Sequence, residues 1–222
     1  MLALKGAIRL TGPPDRKLPI TYQILTEIFP YLEYRHDTLL MKTVMSMSFF
    51  GCFRAGELCL PDNVPFSPLT HLTCDSVKLD AKLATVIIKL KSSKTDVLNA
   101  GVLVRVGCSG TPLSAFRLMS TYLEAHPCPQ ANNPLFVDPN NTVLSKAHFV
   151  ATTKLILAMS GHDPSKYSGH SFRAGSATTG AIAGLSAWEL KMLGRWNSDA
   201  YQIYLRDPTL VAKLAKRLAI EK

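Results

Sequence analysis

The sequence predicts an α+β fold that is mainly α-helical and contains one small antiparallel sheet. Three short stretches rich in β-branched residues follow one another in the middle of the chain, separated by polar turns: "LTCDSVKLD", "ATVIIKLKSSK" and "GVLVRVGC". Such segments are typical of short paired strands. On both sides of them, apolar residues recur at helical spacing. We therefore expect a helical domain with a three-stranded sheet inserted early.

The composition indicates a globular chain with an excess of positive charge. The 222 residues are 47% hydrophobic and have a formal net charge of +9. This length is sufficient for a buried core, and no apolar run reaches the roughly 18 residues of a membrane span. Because clustered Lys and Arg side chains release counterions when they meet phosphate backbones, the charge favours a polyanionic partner.

The cysteines do not predict a disulfide framework or a zinc site. Five cysteines are present, an odd number, and no two of them form a CxxC pair. We therefore expect no disulfide scaffold, no bound metal and a reducing compartment.

The first half of the chain is predicted to contain a linker followed by two helices. Residues 1–20 include "TGPPDRKLP", whose prolines exclude a regular element, and we assign residues 21–222 to one domain. Thr21 is a candidate N-cap for a helix through "YQILTEIFPYLEY", which Pro30 bends or ends. A buried helix in "TLLMKTVMSMSFFGCFRAGELC" is expected to break near Gly51 and to restart before Glu57.

The second half of the chain, after "SGTP", returns to the helical period. We predict helices at about 112–126, 145–160, 171–184, 187–194, 199–206 and 208–220.

Two pairs of polar residues have a spacing that suits anion binding. In "YSGHSFRAG", His170 and Arg173 are three residues apart and share one face of a helix. In "FRAGEL", Arg54 and Glu57 have the same spacing, and an arginine that follows such an apolar run is costly to bury without an anionic partner. The first pair would suit a phosphate. An ordinary surface pair, and an internal Arg54–Glu57 ion pair, are the alternatives.

Two further stretches carry candidate functional residues. Three lysines lie on the second strand and the hairpin after it, where they could reach into a groove or simply be solvated. In "LGRWNSDAYQIYLRDP", Trp196 precedes a short helix with Tyr201 and Tyr204. These aromatic residues could equally be packing residues.

In this order, the motifs resemble the catalytic domain of the tyrosine recombinase/integrase family, which includes the phage integrases and Cre recombinase. "FRAGEL" is similar to the first-arginine box, "GHSFRAGSATTGAIAG" to the His-x-x-Arg box, and "LGRWNSDAYQIYLR" to the final box. The resemblance covers about residues 20–220 and is greatest to eukaryotic mobile elements of the Crypton, Ngaro and DIRS kind. It implies that residues 1–20 are the linker to an N-terminal core-binding domain that this chain lacks.

The resemblance implies a site-specific DNA recombinase or transposase that forms a 3′-phosphotyrosyl bond and frees a 5′-hydroxyl. The arginines would bind the phosphate oxygens, the lysine would protonate the leaving oxygen, and the tyrosine would be the nucleophile. The implied catalytic residues are Arg54, Lys94, His170, Arg173, Trp196 and Tyr204. Glu57 would support Arg54, and further contacts to DNA are expected from Lys89, Lys91 and Arg195.

The resemblance also implies the partners of the reaction. Because the covalent bond stores the phosphodiester energy, the reaction needs no ATP, metal or other cofactor. The expected partner is double-stranded DNA, bound by a homodimer or tetramer, with no membrane and no small-molecule substrate. We expect the chain to act in the nucleus if it comes from a eukaryotic mobile element, and in the cytoplasm otherwise.

Several assignments stay open on the sequence. Tyr204 lies eight residues after Trp196, where relatives usually have nine, and Tyr201 lies five after it; the local "QIY" favours Tyr204. Lys94 is favoured over Lys91 because it lies at the turn. The alternative functions are a catalytically inactive, domesticated DNA-binding domain and a type IB topoisomerase-like enzyme.

Overall fold

A short sheet interrupts an otherwise helical chain in the computed structural model. The structure describes residues 17–33, 35–91 and 101–204; of Tyr204, only the backbone is described. Its α-helices are α1 (Tyr22–Ile28), α2 (Thr38–Phe50), α3 (Ala55–Leu58), α4 (Ala115–Ala125), α5 (Lys146–Met159), α6 (Ser171–Ile182) and α7 (Ala187–Gly194). The strands β1 (Val77–Asp80), β2 (Thr85–Leu90) and β3 (Val102–Gly107) lie between α3 and α4. Short 3₁₀ helices span Phe29–Leu32, Cys74–Ser76, Pro164–Lys166 and Asp199–Tyr204.

The first helices begin and end where the sequence signals predict. The Thr21 side chain accepts a hydrogen bond from the Ile24 amide at 3.4 Å and so caps α1. Pro30 then tightens the chain into a 3₁₀ turn. The long helix α2 is buried along most of its length, which explains its nearly continuous apolar sequence.

The chain reverses sharply between α2 and α3. A Cβ atom on Gly51 would lie 2.2 Å from the ring of Phe53, so this ring packs directly on the glycine backbone. Cys52 follows with a φ of +49°, in the left-handed region. The predicted break near Gly51 is confirmed, and it brings Arg54 to the start of α3.

The predicted antiparallel sheet is confirmed, with the strand order β1-β2-β3. Val77 pairs with Ile88, and Leu90 pairs with Val102. Alternate residues of β2 and β3 are buried, and α4 covers this face. Helix α2 packs against both α4 and α6, so the core extends from the sheet to the helix that carries "GHSFRAG".

The segment at residues 17–20 packs on helix α6, although we predicted it as the end of a linker. The Leu18 amide donates to the Lys166 carbonyl at 2.6 Å, and the Ile20 amide donates to the Ser171 carbonyl at 2.9 Å. A Cβ atom on Gly175 would lie 1.7 Å from the Ile20 carbonyl oxygen, so the two backbones are in direct contact. Residues 1–16 of the predicted linker lie outside the described residues.

A disulfide joins Cys74 to Cys128, contrary to our expectation from the cysteine count. The two residues are 54 positions apart in the sequence, and backbone hydrogen bonds bring their segments together. The Cys74 amide donates to Asn133, and the Asp75 amide donates to Ala131. Because the pairing depends on these tertiary contacts, cysteine spacing gives no sign of it.

Within residues 17–33, 35–91 and 101–204, no helix is long and apolar enough to cross a membrane. The same residues contain no group of three or more His, Cys, Asp or Glu side chains that could hold a metal ion.

Candidate active site

Arg54 and Glu57 form a hydrogen-bonded pair at the start of α3. The Arg54 guanidinium donates to Glu57 Oε1 at 2.7 Å, and the Arg54 amide donates to Glu57 Oε2 at 2.9 Å. The carboxylate therefore caps the helix and orients the arginine at the same time. Glu57 is buried, with 8% of its side chain exposed, whereas 34% of the Arg54 side chain remains exposed. This arrangement leaves a charged, oriented guanidinium at the surface.

Arg173 lies in the interior, in the first turn of α6, with 1% of its surface exposed. Its Nη1 donates to the Cys52 carbonyl at 2.6 Å, and its Nη2 donates to the Gly194 carbonyl. Burial lowers the pKa of Arg173 from its ordinary value, and the charges of Arg54 and Arg195 act in the same direction. The guanidinium nevertheless stays protonated, because its pKa begins far above neutrality.

Arg195 is the third arginine of the cluster and lies just after α7, with a left-handed φ of +55°. Its guanidinium donates to the Gly51 carbonyl at 2.8 Å and to the Cys52 carbonyl at 3.3 Å. A further bond reaches Glu57 Oε2 at 2.8 Å. Arg195 thus connects the final motif to the turn between α2 and α3.

Trp196 lies between Arg173 and the last described turn of the chain. The Arg173 guanidinium is 4.5 Å from the centroid of the indole ring. The ring also approaches Tyr201, with 6.1 Å between centroids. A Cβ atom on Gly194 would lie 1.8 Å from the indole, so only glycine fits there. Three stretches far apart in the sequence therefore meet around Arg173.

The fold matches solved structures of tyrosine recombinases. XerA recombinase superimposes with a TM-score of 0.68 at 16% identity, over 97% of this chain and 69% of XerA. A lambda integrase dimer bound to a COC′ core site gives 0.65 at 16% identity, over 92% of this chain and 52% of that one. The Tn1549 transposon integrase, in complex with a circular intermediate DNA, gives 0.63 at 12% identity, over 94% and 67%.

The chain has the tyrosine recombinase catalytic-domain fold. It matches no protein-family model, and no curated protein matches it in sequence. It spans between about half and about two thirds of the lengths of the three solved structures.

The tyrosine recombinase fold brings together three of the six predicted catalytic residues, Arg54, Arg173 and Trp196, with the supporting Glu57. Arg54 and Glu57 follow the turn at residues 51–53, Arg173 donates to the Cys52 carbonyl in that turn, and Trp196 lies against the Arg173 guanidinium. His170 lies at the N-cap of α6, one turn before Arg173, and is exposed. Tyr201 is buried, with 4% of its surface exposed, between Trp196 and Lys191. This burial suits a packing role for Tyr201 and so favours Tyr204 as the candidate nucleophile. The Tyr204 side chain and the whole of Lys94 lie outside the described part of the chain.

The other lysines of the hairpin region have different environments. Lys89 is exposed on β2. Lys91 is half-buried, and its ammonium contacts the Pro68 carbonyl at 2.8 Å, the Thr73 hydroxyl and the Asp75 carboxylate at 3.3 Å. These three contacts hold Lys91 against the loop that precedes β1, whereas Lys89 is available to a partner.

Sequence reasoning missed the backbone contribution to this site. The carbonyl groups of Gly51, Cys52 and Gly194 are the acceptors that hold Arg173 and Arg195. Side-chain types give no sign of them. The sequence did contain one signal for Arg195. It lies nine residues before Tyr204, which is the usual spacing in relatives, whereas Trp196 lies eight residues before Tyr204.

Proposed function

We propose that the chain is a site-specific DNA recombinase or transposase, which cleaves and rejoins strands through a 3′-phosphotyrosine intermediate. The observation that carries the proposal is the convergence of the three motifs on one arginine cluster. Arg54 and Glu57 come from the first motif, Arg173 from the second and Trp196 from the third. The tyrosine recombinase fold supports the same assignment.

In this proposal, Arg54 binds a non-bridging oxygen of the scissile phosphate. One Nη group is bound by Glu57, and the guanidinium has five N–H donors in all, so donors remain for a phosphate. As the phosphorus becomes five-coordinate, negative charge grows on its oxygens. A donor that is already oriented stabilises that charge by about 3 kcal/mol.

Arg173 supplies the second positive charge. Its guanidinium is buried and donates to two carbonyl groups, which hold it in a fixed position. These bonds use two of its five N–H donors, but the guanidinium is buried, so direct contact with the phosphate requires the groups around it to move. Otherwise Arg173 acts through its field, which is weakly screened in the interior.

The remaining steps need a nucleophile and two proton-transfer groups. Tyr204 attacks the phosphorus, and its phenol, with an ordinary pKa near 10, needs help to lose its proton. His170 either accepts this proton or donates to the phosphate. Lys94 protonates the leaving 5′-oxygen, and Trp196 adds an indole N–H donor. No metal or nucleotide cofactor takes part in this scheme.

The proposed partner is double-stranded DNA, bound by a dimer or tetramer. The +9 charge and the exposed Lys89 support DNA binding. XerH, lambda integrase and the Tn1549 integrase were each solved bound to DNA. An origin in a eukaryotic mobile element, with action in the nucleus, remains part of this proposal.

The proposal is tested by covalent trapping on DNA. A library of duplexes with a randomised core and a nick is incubated with the wild-type chain, Tyr204→Phe and Tyr201→Phe, and SDS-resistant protein–DNA adducts are isolated and sequenced. We expect adducts with wild type and Tyr201→Phe, and none with Tyr204→Phe. Phenylalanine keeps the ring packing at position 201, which makes Tyr201→Phe the matched control. An adduct that survives in Tyr204→Phe and disappears in Tyr201→Phe would reverse the assignment of the nucleophile.

Two other outcomes would point to the alternative functions. Salt-sensitive DNA binding without any adduct would identify a DNA-binding domain that has lost the chemistry. Adducts accompanied by relaxation of supercoiled plasmid, but by no exchange between two sites, would identify a topoisomerase-like enzyme.

A further inference from the structure

We infer that Arg195 is a positioning residue of the proposed cleavage site, which holds Glu57 and through it Arg54, in place of the DNA contact expected for it. The inference rests on the proposed function. Its basis is the set of three hydrogen bonds that engage the guanidinium, which go to the Gly51 carbonyl, the Cys52 carbonyl and the Glu57 carboxylate.

The environment of Arg195 suits a fixed internal role. Its side chain is 18% exposed, and its guanidinium lies 4.9 Å from the centroid of the buried Phe53 ring. The backbone is held as well, because the Arg195 amide donates to the Met192 carbonyl at the end of α7. A phosphate contact would cost these bonds, whereas a positioning role uses them all.

Glu57 is the acceptor through which Arg195 reaches Arg54. Its Oε1 accepts from the Arg54 guanidinium, and its Oε2 accepts from both the Arg54 amide and Arg195. Two guanidinium groups thus share one buried carboxylate. Because Arg195 neutralises part of the carboxylate charge, Arg54 keeps more of its positive field for a phosphate.

Arg195 also touches the acceptor of the second arginine. The Cys52 carbonyl accepts from Arg195 at 3.3 Å and from Arg173 at 2.6 Å. A shift of Arg195 would therefore displace the turn that both arginines hold. One side chain in the final motif sets the positions of groups in the other two.

Lysine cannot replace this arginine, although it keeps the charge. The planar guanidinium reaches two carbonyl groups and a carboxylate in different directions, whereas an ammonium group is a single point at the end of a flexible stem. Arg195→Lys therefore separates the two roles. It preserves an electrostatic contribution to DNA affinity and loses the geometry.

The experiment measures duplex affinity against salt concentration, and adduct formation at saturating DNA, for wild type, Arg195→Lys, Arg195→Ala and Lys89→Ala. We expect Arg195→Lys to leave the salt dependence unchanged and to slow adduct formation between about tenfold and a hundredfold. Lys89→Ala is the control for a lost phosphate contact, with a slope reduced by about 0.9. If Arg195→Ala lowers the slope as Lys89→Ala does, and Arg195→Lys forms adduct at the wild-type rate, the inference is wrong.

A second variant separates positioning from loss of folding. Glu57→Gln should slow adduct formation by a similar factor, and the double variant with Arg195→Lys should slow it little further, because both changes break one chain of contacts. Multiplicative losses would contradict the inference. If wild type forms no adduct, the proposed function fails, whereas the salt dependence still tells whether Arg195 contacts DNA.

Discussion

Asp37 joins two parts of the fold through a single carboxylate. Its side chain is fully buried and accepts from Arg35 Nε at 2.7 Å and from Arg35 Nη2 at 3.1 Å. His148 Nε2, on α5, lies 2.7 Å from Oδ2, the oxygen that also accepts from Arg35 Nη2. Burial alone would raise the pKa of Asp37, but the hydrogen bonds from Arg35 and His148 outweigh it and hold the pKa below its ordinary value.

We predict that Asp37→Asn lowers the free energy of unfolding by about 2 kcal/mol at pH 7, a value reduced from that of a fully buried pair because both partners are partly exposed. A folded pKa below the unfolded one stabilises the fold above the unfolded pKa, and this contribution is lost as the pH falls through the folded pKa. Urea unfolding at pH 7 and pH 3 should therefore show a smaller difference between variant and wild type in acid. A difference that is constant with pH would exclude the carboxylate as its source.

The predictions for single residues were best where a local rule applied. Thr21 caps its helix as expected, because capping depends on neighbours within one turn. For Arg54 and Glu57, the ion pair is present, and the arginine also remains one third exposed. The contacts of Arg195 could not be predicted, since two of its acceptors are carbonyl groups 143 and 144 residues away.

Helix α6 is joined to the segment at residues 17–20 by close backbone contact. The Ile20 carbonyl lies where a side chain at position 175 would start, 1.7 Å from its Cβ atom. No rotamer relieves such a contact, because both sides of it are backbone. Gly175 is therefore explained by packing.

Gly175→Ala is predicted to destabilise the fold by about 3 kcal/mol, since it forces the two elements apart. Gly56→Ala is the matched control, because nothing lies within 4 Å of the added Cβ atom at that helical position. It should be neutral or stabilising by up to about 1 kcal/mol. Urea denaturation curves of the two variants measure the difference. Equal midpoints would mean that the contact at Ile20 yields easily.

The periodicity of the sequence predicted the positions of the helices and strands well, but it predicted neither the type of the last described helix nor the disulfide. The three strands and the helices up to α7 lie within a few residues of their predicted positions, because each presents a continuous apolar face. The predicted helix at 199–206 is a 3₁₀ helix over Asp199–Tyr204. The one predicted at 208–220 lies outside the described residues. The disulfide had no local signal at all.

The disulfide between Cys74 and Cys128 closes a covalent loop between residues 54 positions apart in the sequence. By the chain-entropy relation, a loop of this size stabilises the fold by about 4 kcal/mol relative to the reduced chain. The residues on either side of Cys74, Thr73 and Asp75, are those that bind the Lys91 ammonium.

We predict that the oxidised protein, unfolded without reductant, exposes three reactive thiols: those of Cys52, Cys59 and Cys108. Cys74→Ser and Cys128→Ser should each lower the unfolding midpoint, whereas Cys108→Ser, at an exposed free cysteine, should not. Thiol titration and urea unfolding with and without a dithiol reductant provide the measurements. Five thiols in the unreduced protein would show that the bond does not form.

The attachment of residues 17–20 makes the start of the domain a mechanical element. Hydrogen bonds to Lys166 and Ser171 connect this segment to both sides of His170, and the backbone contact at Gly175 lies two residues beyond Arg173. Tension applied to the chain ahead of Lys17 would therefore load the helix that carries these two residues before it reached the sheet. Such a force would be transmitted through these contacts to the arginine cluster of the proposed site.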